Sequence, residues 1–172
     1  DEDLDIMAKK GIFVVTNAAS NLKLASGIAR IEDMLAKDIK IAIGTDGPAS
    51  NNCLDMFREM FLVTGLAKIR ENDASAVDAT EVLKMATVNG AHAMGLYDSD
   101  VLSEGKLADI IMIDLNQPNM QPINNITKNI VIIGDQLQLS QIDNESIYEM
   151  SEDLAKKYSI ADEYKYKENI RR

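Results

Sequence analysis

The sequence predicts an α/β chain on three observations. Two short apolar runs, Ile12–Val15 and Ile39–Ile43, have the length and composition of buried parallel strands. A helical pattern, 28–37, lies between them, so the unit from Gly11 to Thr45 has the length of a right-handed β–α–β crossover. The second run leads into Gly44-Thr45-Asp46-Gly47, which sets a carboxylate at the C-terminal end of a strand. That is where α/β barrels assemble their catalytic groups.

Taken in order, residues 3–10 (DLDIMAKK) read as the tail of a helix, ended by Gly11. The first strand is followed by a polar, small-residue loop, Thr16 to Gly27. Ile28, Ile31, Met34 and Leu35 mark the apolar face of the crossover helix. After the second strand, Asn51 or Asn52 is placed to cap a long helix from Cys53 to Arg70. Asp78 or Thr80 caps the next, Glu81 to Thr87; Gly90 is expected to break it, with a short helix from Ala91 to Leu96 beyond. The texture then changes. A strand is expected at Ile110–Leu115, a Pro- and Asn-rich connector at 116–125, and a second short strand at Ile130–Ile133. A helix is expected from Glu145 to Tyr158, and KYKENIRR as a frayed end. The expected division is 1–100, 101–135 and 136–172.

Composition narrows the function. The 172 residues suffice for one core, and 46% hydrophobic with 27% charged residues is ordinary for a soluble globular protein. A net charge of −10 disfavours nucleic acid and anionic membrane surfaces as partners. No apolar run approaches transmembrane length. The single cysteine, Cys53, has no partner for an internal disulfide, which fits a reducing, cytoplasmic compartment. The chain opens on Asp1-Glu2-Asp3 without an initiator methionine and is expected to be a piece of something longer.

Asp46 is the leading candidate. An aspartate after a strand is commonly a turn former or a cap. Here Gly44 and Gly47 flank it and permit close approach, Pro48 stiffens the loop, and Asn51-Asn52 opens a helix. A carboxylate held in this way suits a divalent metal, or a proton taken from bound water. The first strand's loop ends on the same face, so Asn17, Ser20, Asn21 and Lys23 are expected to line the same pocket. His92, the single histidine, lies in a helix without a second His, Cys or acidic partner at ligand spacing and is read as a helix-surface or packing residue. Cys53 has no evident partner base. P-loop, G-x-G-x-x-G, G-x-S-x-G and Cys-x-x-Cys motifs are absent. One histidine and one cysteine cannot build a histidine-rich metal site, so the other ligands lie outside this chain.

The segment SNLKLASGIARIEDMLAKDIKIAIGTDGPASNNCLDMFREM resembles the C-terminal barrel segment of the amidohydrolase superfamily, and ATVNGAHAMGL…LSEGKLADIIMIDLNQPNMQPINNI resembles the segment C-terminal to it in that family. Within that superfamily the likeness is to 5-methylthioadenosine/S-adenosylhomocysteine deaminases. The resemblance implies a (β/α)8 metal-dependent hydrolase barrel with a small β-sandwich, of which this chain holds the last two β/α units and part of the sandwich (101–135). It implies that Asp46 contacts the metal and shuttles a proton from the attacking water, and that Ser50 contacts a nucleoside ligand; Asn21 joins it as a substrate-binding candidate. It implies one divalent metal, Zn, with Fe as the other metal such sites accept. The implied partners are a small-molecule substrate, the missing N-terminal part of the barrel and a second copy in a homo-oligomer. Thr16 stands where the family usually carries a histidine, and Gly134-Asp135-Gln136 replaces a further strand–turn–strand. The implied reaction of the complete enzyme is hydrolytic deamination of an adenosine-type nucleoside. The alternative is a non-catalytic, truncated amidohydrolase-like fragment, inactive alone. A flavodoxin-like domain would need five alternating strands, more than the two parallel ones in this sequence.

Overall fold

A parallel pair of three-residue strands forms the centre of the fold. The computed structural model describes residues 2–133. Strand β1 (Val14–Thr16) pairs with β2 (Ile41–Ile43) in the register Val14–Ile41, Val15–Ala42, Thr16–Ile43. All three residues of β2 are buried, as expected of a strand covered on both faces.

Helix α1 (Glu2–Lys10) precedes β1 and ends at Gly11, whose φ of +60° is the left-handed conformation that closes a helix. The Gly11 and Ile12 amides donate back to the Ala8 and Met7 carbonyls at 3.0 and 3.1 Å. Short helices α2 (Ala18–Lys23) and α3 (Ile31–Leu35) fill the crossover. The expected loop from Thr16 to Gly27 therefore contains a helix, and the expected helix over 28–37 is confined to its centre. Ile31 and Met34 anchor α3 in the core.

Helix α4 (Met56–Glu71) is the longest element. Its cap is Asp55, whose Oδ1 accepts the Phe57 amide at 2.9 Å, and not Asn51 or Asn52. Residues 51–55 are spent instead on the loop that returns from β2. Met60, Val63 and Ala67 point from α4 into the core, joined by Val82 and Met85 of α5 (Ala79–Ala86). Asp78 caps α5 through the Thr80 amide at 2.8 Å. The break after α5 falls at Thr87 rather than Gly90, which lies inside α6 (Val88–Ala93). The Thr87 hydroxyl donates to the Leu83 carbonyl at 2.7 Å, a side-chain bond that competes with the backbone ladder at this end.

Two expected strands are absent from the described residues. Residues 110–115 carry no strand, and Ile111 and Met112 stand 75% and 95% exposed. A strand needs a neighbour to take its amides and carbonyls, and none lies beside it among the described residues. Residues 130–133 belong to helix α7 (Ile126–Ile133), which packs on α4 and α5 with Val131 fully buried. Asn125 starts this helix by accepting the Lys128 amide at 2.9 Å, and the β-branched run follows its lead. A 3-10 turn, Pro118–Met120, precedes it. The expected helix from Glu145 to Tyr158 and the segment 136–172 lie outside the described residues.

Candidate active site

The C-terminal ends of β1 and β2 face one way because the strands are parallel, and each leads into a loop carrying polar side chains. Asp46 follows β2 by three residues and sits at φ +58°, a left-handed conformation that aspartate tolerates better than most residues. Its side chain is solvent-exposed. Two hydroxyls converge on its Oδ2: Ser20 Oγ from the β1 side at 2.7 Å and Ser50 Oγ from the β2 side at 2.6 Å. Donation by Ser50, then by Ser20, then by the Gly47 amide holds the Asp46 carboxyl below the usual carboxylate range. The group is thus kept ionised.

Glycine matters at one of the two flanking positions. A Cβ on Gly44 would lie 2.5 Å from Asn17 Oδ1 and 3.0 Å from Val15 Cγ1, so the two strand ends approach as closely as they do only because Gly44 has none. A Cβ on Gly47 would meet no atom within 4 Å among the described residues.

A second tie joins the loops. Lys23 Nζ, at the end of α2, donates to the Ala49 carbonyl at 2.9 Å and to Asn52 Oδ1 at 2.5 Å. Of the residues expected to line one pocket, Ser20 and Lys23 reach across to the β2 loop. Asn21 lines a small, mainly apolar recess with Thr16, Ala18 and Val63. Of the three candidates, Asp46 and Ser50 are in direct contact, and Asn21 lies next to Ser20 in the chain.

The sequence reading missed Glu59. It is completely buried in the first turn of α4, and its two oxygens accept from the Ala19 amide at 3.0 Å and from Asn51 Nδ2 at 2.7 Å. A signal was present: Glu59, Val63 and Ala67 recur at four-residue spacing, placing an acid on an apolar stripe. His92, on α6, is partly exposed and has an acidic partner. Its Nε2 lies 2.8 Å from Asp100 Oδ2, and Lys106 Nζ lies 2.6 Å from Asp100 Oδ1. Lys106 first, then His92, hold the Asp100 carboxyl down at about 2.

An ionised, exposed carboxylate at a strand end suits one ligand position of a divalent ion. Among the described residues no group of three His, Cys, Asp or Glu side chains is placed to hold one.

The family model described as the Amidohydrolase family matches residues 1–139. A 5-methylthioadenosine/S-adenosylhomocysteine deaminase of Dictyoglomus thermophilum is 46% identical over 131 residues, covering 76% of this chain and 31% of its own length. The deaminase of the same name from Thermococcus sibiricus is 47% identical with the same coverage. The chain thus spans about a third of these curated relatives. Among solved structures, a zinc-bound adenosine deaminase from Xanthomonas campestris superposes with a TM-score of 0.73 at 40% identity, covering 76% of this chain and 30% of that one. A zinc complex of atrazine chlorohydrolase from Arthrobacter aurescens gives 0.72 at 26% identity, over 76% and 29%. The match over most of the chain, together with the fold shared with these hydrolases, makes this chain a member of the amidohydrolase family.

Proposed function

We propose that this chain is the C-terminal part of a metal-dependent (β/α)8 deaminase that hydrolyses the amine-bearing C–N bond of an adenosine-type nucleoside, of the methylthioadenosine or S-adenosylhomocysteine kind. The observation that carries this reading is Asp46 held at a strand end by Ser20 and Ser50, in a chain 46% identical to a deaminase of that name.

Asp46 acts here as metal ligand and proton acceptor. Its lowered pKa keeps it ionised, as both roles require. In the net reaction water adds to the ring carbon, the C–N bond breaks and ammonia leaves. Asp46 takes a proton from the water and returns it toward the departing nitrogen. Zinc, or iron in its place, supplies Lewis acidity and a lowered water pKa when bound. Ser50 and Asn21 contact the nucleoside. The remaining metal ligands come from the preceding barrel strands, for which the half-exposed Val15 of β1 leaves an open flank. Residues 1–100 are the last barrel units and 101–135 the sandwich segment, whose strand forms only beside strands from the rest of the protein. The working enzyme is a homo-oligomer in the cytoplasm.

The test is a chimera in which the matching segment of this chain replaces that of the Dictyoglomus thermophilum relative. Ammonia release from methylthioadenosine, lost in Asp46→Asn with the fold and oligomeric state intact, is the expected result. An Asp46→Asn chimera that turns over normally refutes the assignment.

A second reading concerns the 172 residues by themselves, and the single histidine favours it: alone they are inactive. Metal analysis of the isolated chain is expected to find no stoichiometric zinc or iron. Tight uptake of one metal per chain overturns this.

A further inference from the structure

We infer that Glu59 is a positioning residue for Asp46, an inference that rests on the reading of Asp46 as the active-site carboxylate. The two residues that Glu59 holds, Ala19 and Asn51, are the chain neighbours of the two, Ser20 and Ser50, that hold Asp46.

The geometry is reciprocal. Glu59 Oε2 accepts the Ala19 amide, a first-turn amide of α2 with no acceptor inside its own helix. That bond spans 40 residues of sequence and fixes where Ser20 begins. Glu59 Oε1 accepts from Asn51 Nδ2, and the same amide group donates to the Thr45 carbonyl at 2.8 Å. Asn51 is 2% exposed, and its Oδ1 accepts the Cys53 amide at 3.2 Å, so its orientation is fixed at both ends. The β2 loop is therefore pinned on both sides of Asp46, at Thr45 and at Asn51. One buried carboxylate on α4 sets the spacing of the two serines, and the serines set the rotamer of Asp46.

The chemistry requires a carboxylate at this point. Both partners are N–H donors, and a carboxylate offers an acceptor oxygen to each. A glutamine has the same shape but turns an NH2 toward one partner, leaving two donors face to face at a fully buried position. A short aspartate does not span both partners. Glu59 touches neither Asp46 nor the space in front of it, so its action is transmitted through the loops.

The variants Glu59→Gln and Asn51→Ala, made in the 172-residue chain, test this without any need for metal or turnover. The readouts are the Asp46 side-chain carboxyl carbon resonance at neutral pH and residue-resolved amide exchange. In both variants the Asp46 resonance is expected to move, and the Ser50 and Asn51 amides to exchange about tenfold faster, while Val63 and Ala67 in α4 keep their protection. A merely structural Glu59 would lower protection in α4 and in the loops together and leave the Asp46 resonance in place; that result overturns the proposal, as do unchanged loop amides. If Glu59→Gln does not fold, Asn51→Ala decides alone, since it removes the Thr45 link and keeps the buried carboxylate. These readouts are independent of deaminase activity, so failure of the chimera and failure of this inference are separate results.

Discussion

Ser20 Oγ and Asp46 Oδ2 meet at 2.7 Å across 26 residues of sequence. The contact joins the loop after β1 to the loop after β2, and with Ser50 it fixes the ionisation of Asp46. Replacing Ser50 with alanine is expected to raise the Asp46 carboxyl toward the usual carboxylate range, with Ser20→Ala acting in the same direction and less strongly. A carbon-detected titration of the folded chain measures both. An unmoved midpoint would mean that the hydroxyls do not bond to Asp46 in solution.

Gly44 is closely hemmed in by side chains of the first strand and its loop. Gly44→Ala drives a methyl into Asn17 and Val15 and is expected to cost about 1–3 kcal/mol of stability. Gly47→Ala, with open space around it, is expected to stay within about 0.5 kcal/mol. Denaturant unfolding of the two variants separates a packing demand from a simple preference for glycine in the loop.

Asp55 caps α4, so Asp55→Ala is expected to lower stability by about 1 kcal/mol. Asn52→Ala leaves the cap intact and removes only an exposed contact to Lys23. Equal losses in the two variants would show that the helix starts earlier than residue 56.

The pair of contacts at Asp100 makes an acid-sensitive point. Its folded carboxyl lies at about 2, below the ordinary 3.8, so its contribution to stability is complete above that ordinary value and is lost as the pH falls through about 2. Lys106→Met is expected to destabilise the chain at neutral pH and to raise the Asp100 carboxyl. The difference from wild type should narrow in acid. Thermal unfolding at pH 7, 4 and 2 reads this out, and a pH-independent difference would assign the effect to the Lys106–Tyr97 contact instead.

The two paired strands and the position of Asp46 beyond the second were legible because their signals are local: an apolar run of strand length, then an acid between glycines. Ser20 was legible as a member of the right loop, though not as a partner of Asp46. Glu59 was not, since its meaning depends on Ala19, 40 residues earlier. Ile110–Leu115 and Ile130–Ile133 look alike in composition. The second became a helix because Asn125 caps it and α4 and α5 supply an apolar surface. The first carries no regular element and pairs with no strand among the described residues. The cap of α4 was misplaced because Asn51, Asn52 and Asp55 are all good capping residues, and the loop from β2 had already claimed Asn51.

The exposed stretch Ile110-Ile111-Met112-Ile113 also bears on how the chain behaves in a test tube. Four apolar residues in a row, free of proline and glycine and with no neighbour strand among the described residues, form the kind of segment that seeds cross-β stacking between molecules. Asp109 and Asp114 bracket it as charged gatekeepers, so a fibril built on this segment would have to stack like charges at both ends. The tendency of separate molecules to associate is thus tied to six residues well away from Asp46 in the sequence.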